Sequence, residues 1–209
     1  MMPHQTNPDR DPIVQETQCL VSQILHDFIS YFTAISTGLD MPLHMAKDIF
    51  PILIQSRQQI NAYLNVMRYV FAQGEGSDQQ GEQMMAAYGK TLGILITGRA
   101  KSFCKIMTGL ILWATKQVHG RSETTIAYQE NTLHVRSSSL KAHSYEMDVL
   151  LNLAPCKSPR DSFSAYLARL LQQQELSLTA EYPTQGELIL RLQKKEFHPT
   201  PITNTYTAL

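Results

Sequence analysis

The chain has 209 residues, 43% of them hydrophobic, with 18 basic side chains balancing 18 acidic ones. That supports a substantial core in one domain or two small ones and excludes disorder throughout, while the absence of any long charge run gives nucleic acid or anionic lipid no electrostatic purchase. The longest apolar runs, Gly109 to Ala114 and Leu188 to Leu192, are far too short to span a bilayer and no signal-peptide pattern opens the chain, so a cytoplasmic location is expected.

Residues 1–12 contain Pro3, Asn7, Pro8, Asp9 and Arg10 and little that is apolar, which reads as a flexible tail. Pro12 suits the first turn of a helix running to about Asp40, with Gly38 and Pro42 marking its end. Val21, Ile24, Phe28, Ile35 and Leu39 recur at helical spacing, with Leu25, Ile29 and Phe32 alongside, and predict a wide buried stripe. The opposite face carries Ser22, His26, Ser30, Thr33 and Thr37. A lone histidine on a helix is more often an ordinary residue than a functional one. Helix surfaces favour long charged side chains, however, and a lane of short ones around one imidazole suggests that another macromolecule has to reach it. His44 would lie about 27 Å further along an unbroken helix, too far to share a metal with His26. Cys19, Cys104 and Cys156 are odd in number, widely separated and without a CxxC, which argues against a disulfide framework and a zinc site.

A second helix is predicted over Asp48 to Phe71, with Pro51 in its first turn and Ile49, Ile52, Leu53, Ile60, Leu64, Met67 and Phe71 as its stripe. Two amphipathic helices joined by a short turn form an antiparallel hairpin that cannot cover its own apolar surface. Pairing with a second copy would complete a four-helix bundle; the alternative is that the rest of the chain covers the hairpin. The organisation expected is therefore a hairpin over residues 13–72, a Gly-rich linker over 73–82, a small α/β unit over 83–197 and a flexible tail over 198–209. The linker lacks the Gly-Lys-Ser/Thr ending of a phosphate loop.

In the second half the pattern predicts a short helix at Met84 to Tyr88, a buried strand at Gly93 to Thr97 and a helix from Ser102 to Val118 with Trp113 half-buried. A hairpin follows over Thr124 to Tyr128 and Thr132 to Arg136. Met147 to Leu153 is ambiguous between strand and helix. Ser158-Pro159-Arg160-Asp161 opens a helix to about Gln174, and a terminal hairpin turns at Pro183 to Gly186. The fold class is α+β, with a sheet covered by helices on one face.

Three segments resemble the ChpT-type histidine phosphotransferases of alphaproteobacterial phosphorelays: HDFISYFTAISTGLDM from His26, RYVFAQGEG from Arg68, and SPRDSFSAYLARLL from Ser158. Where that family tends to place proline after the Ser30 position, this chain has Tyr31. The resemblance implies a homodimer in which two hairpins make a four-helix bundle, each followed by a degenerate version of the ATPase-like domain of histidine kinases. It implies that His26 is the phosphoacceptor and that Ser22, Gln23, Ser30, Thr33 and Thr37 meet the docking receiver domain; Asp27, turned about 100° from His26 around the helix, either orients the ring or contacts the partner instead. The partners implied are the receiver of a hybrid histidine kinase as donor and those of response regulators as acceptors, with Mg²⁺ held by the receiver and no cofactor held by this chain. Related kinases bind ATP through an Asn-bearing helix and a D-x-G-x-G loop; this sequence has no D-x-G-x-G, and its candidate helix contains no asparagine. Two alternatives remain open at this level: a sensor kinase fragment still using ATP, and a non-catalytic helical adaptor in which His26 is incidental.

Overall fold

In the computed structural model, which describes residues 12–72, 77–99, 104–118, 123–140 and 144–195, helix α1 spans Pro12–Leu39. Of the tails read from the sequence, residues 1–11 and 198–209 lie outside the described residues, while Pro12, the last position of the first, already belongs to α1. Proline at the first helical position loses only an N–H that has no partner there in any case. Gly38 does not end α1 but sits in its last turn, where a Cβ would come within 2.7 Å of Leu53 on the next helix. Its missing side chain lets the two arms of the hairpin close.

After a 3₁₀ turn at Leu43–Met45, helix α2 covers Ala46–Phe71. It starts two residues earlier than the pattern predicts, so Pro51 falls in the second turn rather than the first, and the ladder lacks the bond that its absent N–H would make. Helix α3, Asp78–Leu92, is a larger departure. Residues 78–82 read as linker in sequence, yet Ser77 caps them by accepting the Gln80 N–H at 3.3 Å, and Met85, Tyr88 and Leu92 supply a narrow buried stripe. Gly93 belongs to the helix rather than to the strand after it. At φ 69° it is the left-handed C-cap, its N–H returning to the last turn, and strand β1 begins only at Leu95–Arg99.

Helix α4, Cys104–Gln117, is the centre of the molecule. Ile106, Met107, Leu110, Ile111, Leu112 and Ala114 are all buried, because α2, α3, α6 (Ser162–Gln173) and the sheet surround it. Trp113, expected half-buried, is only 2% exposed, and its indole N–H donates to Ser164 Oγ at 2.9 Å. A buried indole needs such an acceptor. The ambiguous segment resolves as helix α5, Tyr145–Leu150, capped by Ser144. Ahead of α6 a 3₁₀ turn at Pro159–Asp161 carries a capping box, the Asp161 carboxylate accepting from the Ser158 N–H and hydroxyl at 2.9 Å each.

The remaining strands are β2 Thr125–Gln129, β3 Thr132–Arg136, β4 Leu176–Glu181 and β5 Glu187–Lys194, in the order β1-β2-β3-β5-β4. Only the β1 and β2 pair is parallel, as its helical crossover requires. Ile126, Tyr128, Leu133, Val135, Leu188 and Leu190 alternate inward to the helices while Ala127 and His134 face out, so the helices do cover one face. Tyr63, Val66, Met67 and Val70 of α2 belong to the same continuous core as α3, α4 and the sheet. Among the described residues no helix is long and apolar enough to cross a membrane.

Candidate functional site

Helix α1 lies against α2 on one side and against α6 and its preceding 3₁₀ turn on another, which leaves two of its faces without cover from this chain. His26 occupies one of them, with 76% of its side chain exposed. Ser22, Ser30, Thr33 and Thr37 are exposed on the same face. The Ser30 hydroxyl donates to the His26 carbonyl at 3.0 Å and the Thr33 hydroxyl to the Ile29 carbonyl at 2.8 Å, so these side chains fold back on the helix and the ring stands above its neighbours.

The other uncovered face is apolar. Ile24, Phe28 and Ile35 are half-buried in the hairpin, but Val21, Leu25, Ile29, Phe32 and Leu39 are between 50% and 70% exposed. The stripe expected to be buried is therefore only partly covered within one chain. Phe50, Ile52 and Ile54 of α2 are exposed as well.

Asp27 is turned about 100° from His26 around the helix and points inward, its side chain 19% exposed. Its Oδ2 accepts from Lys116 Nζ at 2.7 Å and from the Tyr63 hydroxyl at 2.9 Å, and its Oδ1 accepts from Gln23 Nε2 at 2.8 Å. Gln23, placed by the resemblance among the receiver-docking residues, is partly buried in this bond. One carboxylate thus ties α1 to α2 and to the end of α4. His26 Nδ1 lies 3.7 Å from Oδ1, beyond a hydrogen bond but within reach of an ion pair when the ring is cationic. Tyr31 packs beside Tyr63, ring centroids 6.1 Å apart, and Tyr63 beside Tyr88 at 6.5 Å, so Tyr31 joins a row of rings across the three helices.

Burial alone would raise the Asp27 carboxyl. The charge of Lys116 and the hydrogen bonds from Lys116, Tyr63 and Gln23 together outweigh it and hold that carboxyl below the usual range. Burial, reinforced by the adjacent Asp27 carboxylate, pushes the Tyr63 phenol far up, so it remains a donor. Because the folded state depresses the Asp27 value, the stabilisation is fully present above the ordinary carboxylate range and is lost as pH falls through the lower folded value. Asp27→Asn should cost about 1–2 kcal/mol at neutral pH, and its deficit in melting temperature against wild type should shrink between about pH 7 and about pH 3. A deficit that stays constant over that range would show that the ionised carboxylate is not what holds the helices together.

Lys116 and Tyr63 are the members of the site that sequence reasoning missed. The available signal was weak: a lysine near the end of an otherwise apolar helix, and a single acidic residue between Gln18 and Leu39. A cleft of about 420 Å³ adjoins Lys116, with Gln23, Trp113, Arg160 and Phe163 also in its wall. Among the described residues no group of three or more His, Cys, Asp or Glu side chains is placed to hold a metal ion.

No family model and no curated protein matches the chain. A solved structure described as that of a bacterial phosphotransferase is similar in fold, with a TM-score of 0.74 at 15% sequence identity, covering 92% of this chain and 100% of the other. At that identity the likeness establishes a shared fold and no more.

Proposed function

We propose that this protein is a histidine phosphotransferase of a phosphorelay, carrying a phosphoryl group between receiver-domain aspartates on His26. The observation that carries this reading is an imidazole lifted clear of a low polar helix face, beside a carboxylate that the rest of the fold holds in place. The fold likeness to a protein described as a phosphotransferase supports it. In the reaction, the lone pair of one ring nitrogen forms an N–P bond as the P–O bond to the donor aspartate breaks, its electron pair returning to that carboxylate. The second ring nitrogen keeps its proton, so the phosphorylated ring is cationic. On onward transfer an acceptor carboxylate attacks phosphorus and the N–P electrons return to the ring. Phosphoryl transfer depends mainly on alignment and charge neutralisation, and the receiver supplies its own Mg²⁺. Asp27 orients the ring and faces the positive charge that develops on it.

The receiver lands on Ser22, Ser30, Thr33 and Thr37, where short side chains let its loops approach His26. Thr33→Trp or Ser30→Trp should slow transfer about tenfold or more while leaving the melting temperature within a few degrees. Unchanged transfer would count against this docking face. The exposed row of Leu25, Ile29 and Phe32 with Phe50 and Ile52 meets a second copy of the chain to form a four-helix bundle, leaving the sheet-bearing half as a degenerate ATPase-like domain on each flank. Leu25→Glu with Phe32→Glu should convert a dimer to a monomer in sedimentation equilibrium; a monomeric wild type would refute the bundle. The protein acts in the cytoplasm, where its receiver partners are. An adaptor with an incidental histidine would keep every activity in His26→Ala, and a kinase fragment would label itself from ATP alone.

A further inference from the structure

The carboxylate of Asp27 is constrained from three directions. Gln23 comes from α1, Tyr63 from α2 and Lys116 from α4, and among them they occupy both sites on Oδ2 and one on Oδ1. The remaining side of Oδ1 faces His26 Nδ1 at 3.7 Å. Rotating the carboxylate away would break bonds to two other helices. Lys116 is the only charged donor of the three, and its position is itself defined: its side chain is 32% exposed and its ammonium lies 5.6 Å from the ring centroids of both Tyr63 and Phe163. Because the same ammonium also neutralises much of the Asp27 charge, its influence on the imidazole is geometric more than electrostatic.

We propose that Lys116 is a positioning residue for His26: by fixing Asp27 it keeps Oδ1 opposite Nδ1, which holds the ring proton on Nδ1 and leaves Nε2 as the atom that attacks phosphorus. The tautomer of a histidine is set by the hydrogen bond its other nitrogen makes. At 3.7 Å Nδ1 and Oδ1 stand just short of that bond, and a small turn of the exposed ring closes the gap onto a partner whose placement is inherited from α4. The sheet-bearing half, which need not bind nucleotide, thereby takes part in transfer through one side chain. This inference rests on the phosphotransfer reading for its consequence, but its geometry can be tested without it.

The test uses the full-length protein with ¹⁵N-labelled histidine, at a pH where imidazole is neutral. Two-bond ¹H–¹⁵N correlations report the tautomer, and the His26 signals are those missing in His26→Gln. Wild type should show the Nδ1–H form, Lys116→Met should shift toward the Nε2–H form that free histidine prefers, and Lys116→Arg should largely restore the first. If Lys116→Met does not fold, judged by its thermal melt, Lys116→Gln takes its place. An unchanged tautomer in the folded variant overturns the proposal. With potassium phosphoramidate as a small donor, ³¹P spectra should place the phosphate of the wild type on Nε2. Lys116→Met should react about tenfold more slowly, and Asp27→Asn combined with Lys116→Met should be no slower than Asp27→Asn alone. Additive losses would show that Lys116 does not act through Asp27. Failure of wild type to take phosphate from any charged receiver would instead strike the relay reading, leaving the tautomer result standing.

Discussion

His26→Ala is expected to reduce phosphate transfer from a charged receiver to background while leaving the fold intact. The ring is the nucleophile in the proposed reaction, and no neighbouring side chain can stand in for it. Its side chain is 76% exposed, so truncation opens no cavity and leaves no donor unpaired in the core. A circular dichroism melt within about 2 °C of wild type, together with loss of label, is the expected pair of results. Transfer retained in the variant would remove the histidine from the mechanism, whatever the fold.

The largest effect on stability should come from α4. Leu110 is fully buried in the core on α4, the helix that α2, α3, α6 and the sheet surround, and its truncation leaves a cavity that rigid neighbours cannot close. Leu110→Ala should cost about 3 kcal/mol, a fall of about 6–12 °C in melting temperature for a chain of this size. Leu153→Ala makes the contrast, since that side chain is 73% exposed and should change stability by less than about 0.5 kcal/mol. Similar losses at the two positions would mean that α4 is not the centre of the core.

The long periodic elements were legible in the sequence because their apolar residues repeat over several turns. That holds for α1, α2, α4 and α6, and for both β-hairpins, whose strands alternate around turn residues. Helix α3 was not, since only Met85, Tyr88 and Leu92 mark its buried side within a polar run that resembles a linker. Gly93 misplaced the start of β1, because a glycine before an apolar run looks the same whether it caps a helix or opens a strand. The parallel pairing of β1 with β2 has no local signature at all. In the site, the exposed histidine and its lane of small residues could be seen from spacing alone. The role of Asp27 as a junction could not, because Lys116 lies 89 positions away and Tyr63 lies 36 away. The exposed apolar row on α1 shows the converse limit: periodicity says which residues want burial, but not whether the same chain provides it.

These elements meet in one claim, that His26 accepts phosphate from a receiver aspartate and not from ATP. The most direct measurement incubates the purified protein in parallel with γ-labelled ATP and with a receiver domain already carrying labelled phosphate, then reads the label for the acid-labile, base-stable behaviour of phosphohistidine. Label should pass from the receiver to the wild-type chain, be absent from His26→Ala, and not be acquired from ATP. Self-labelling with ATP alone would contradict the account by making the protein a kinase, and a receiver that leaves the wild type unlabelled would contradict it by removing the relay.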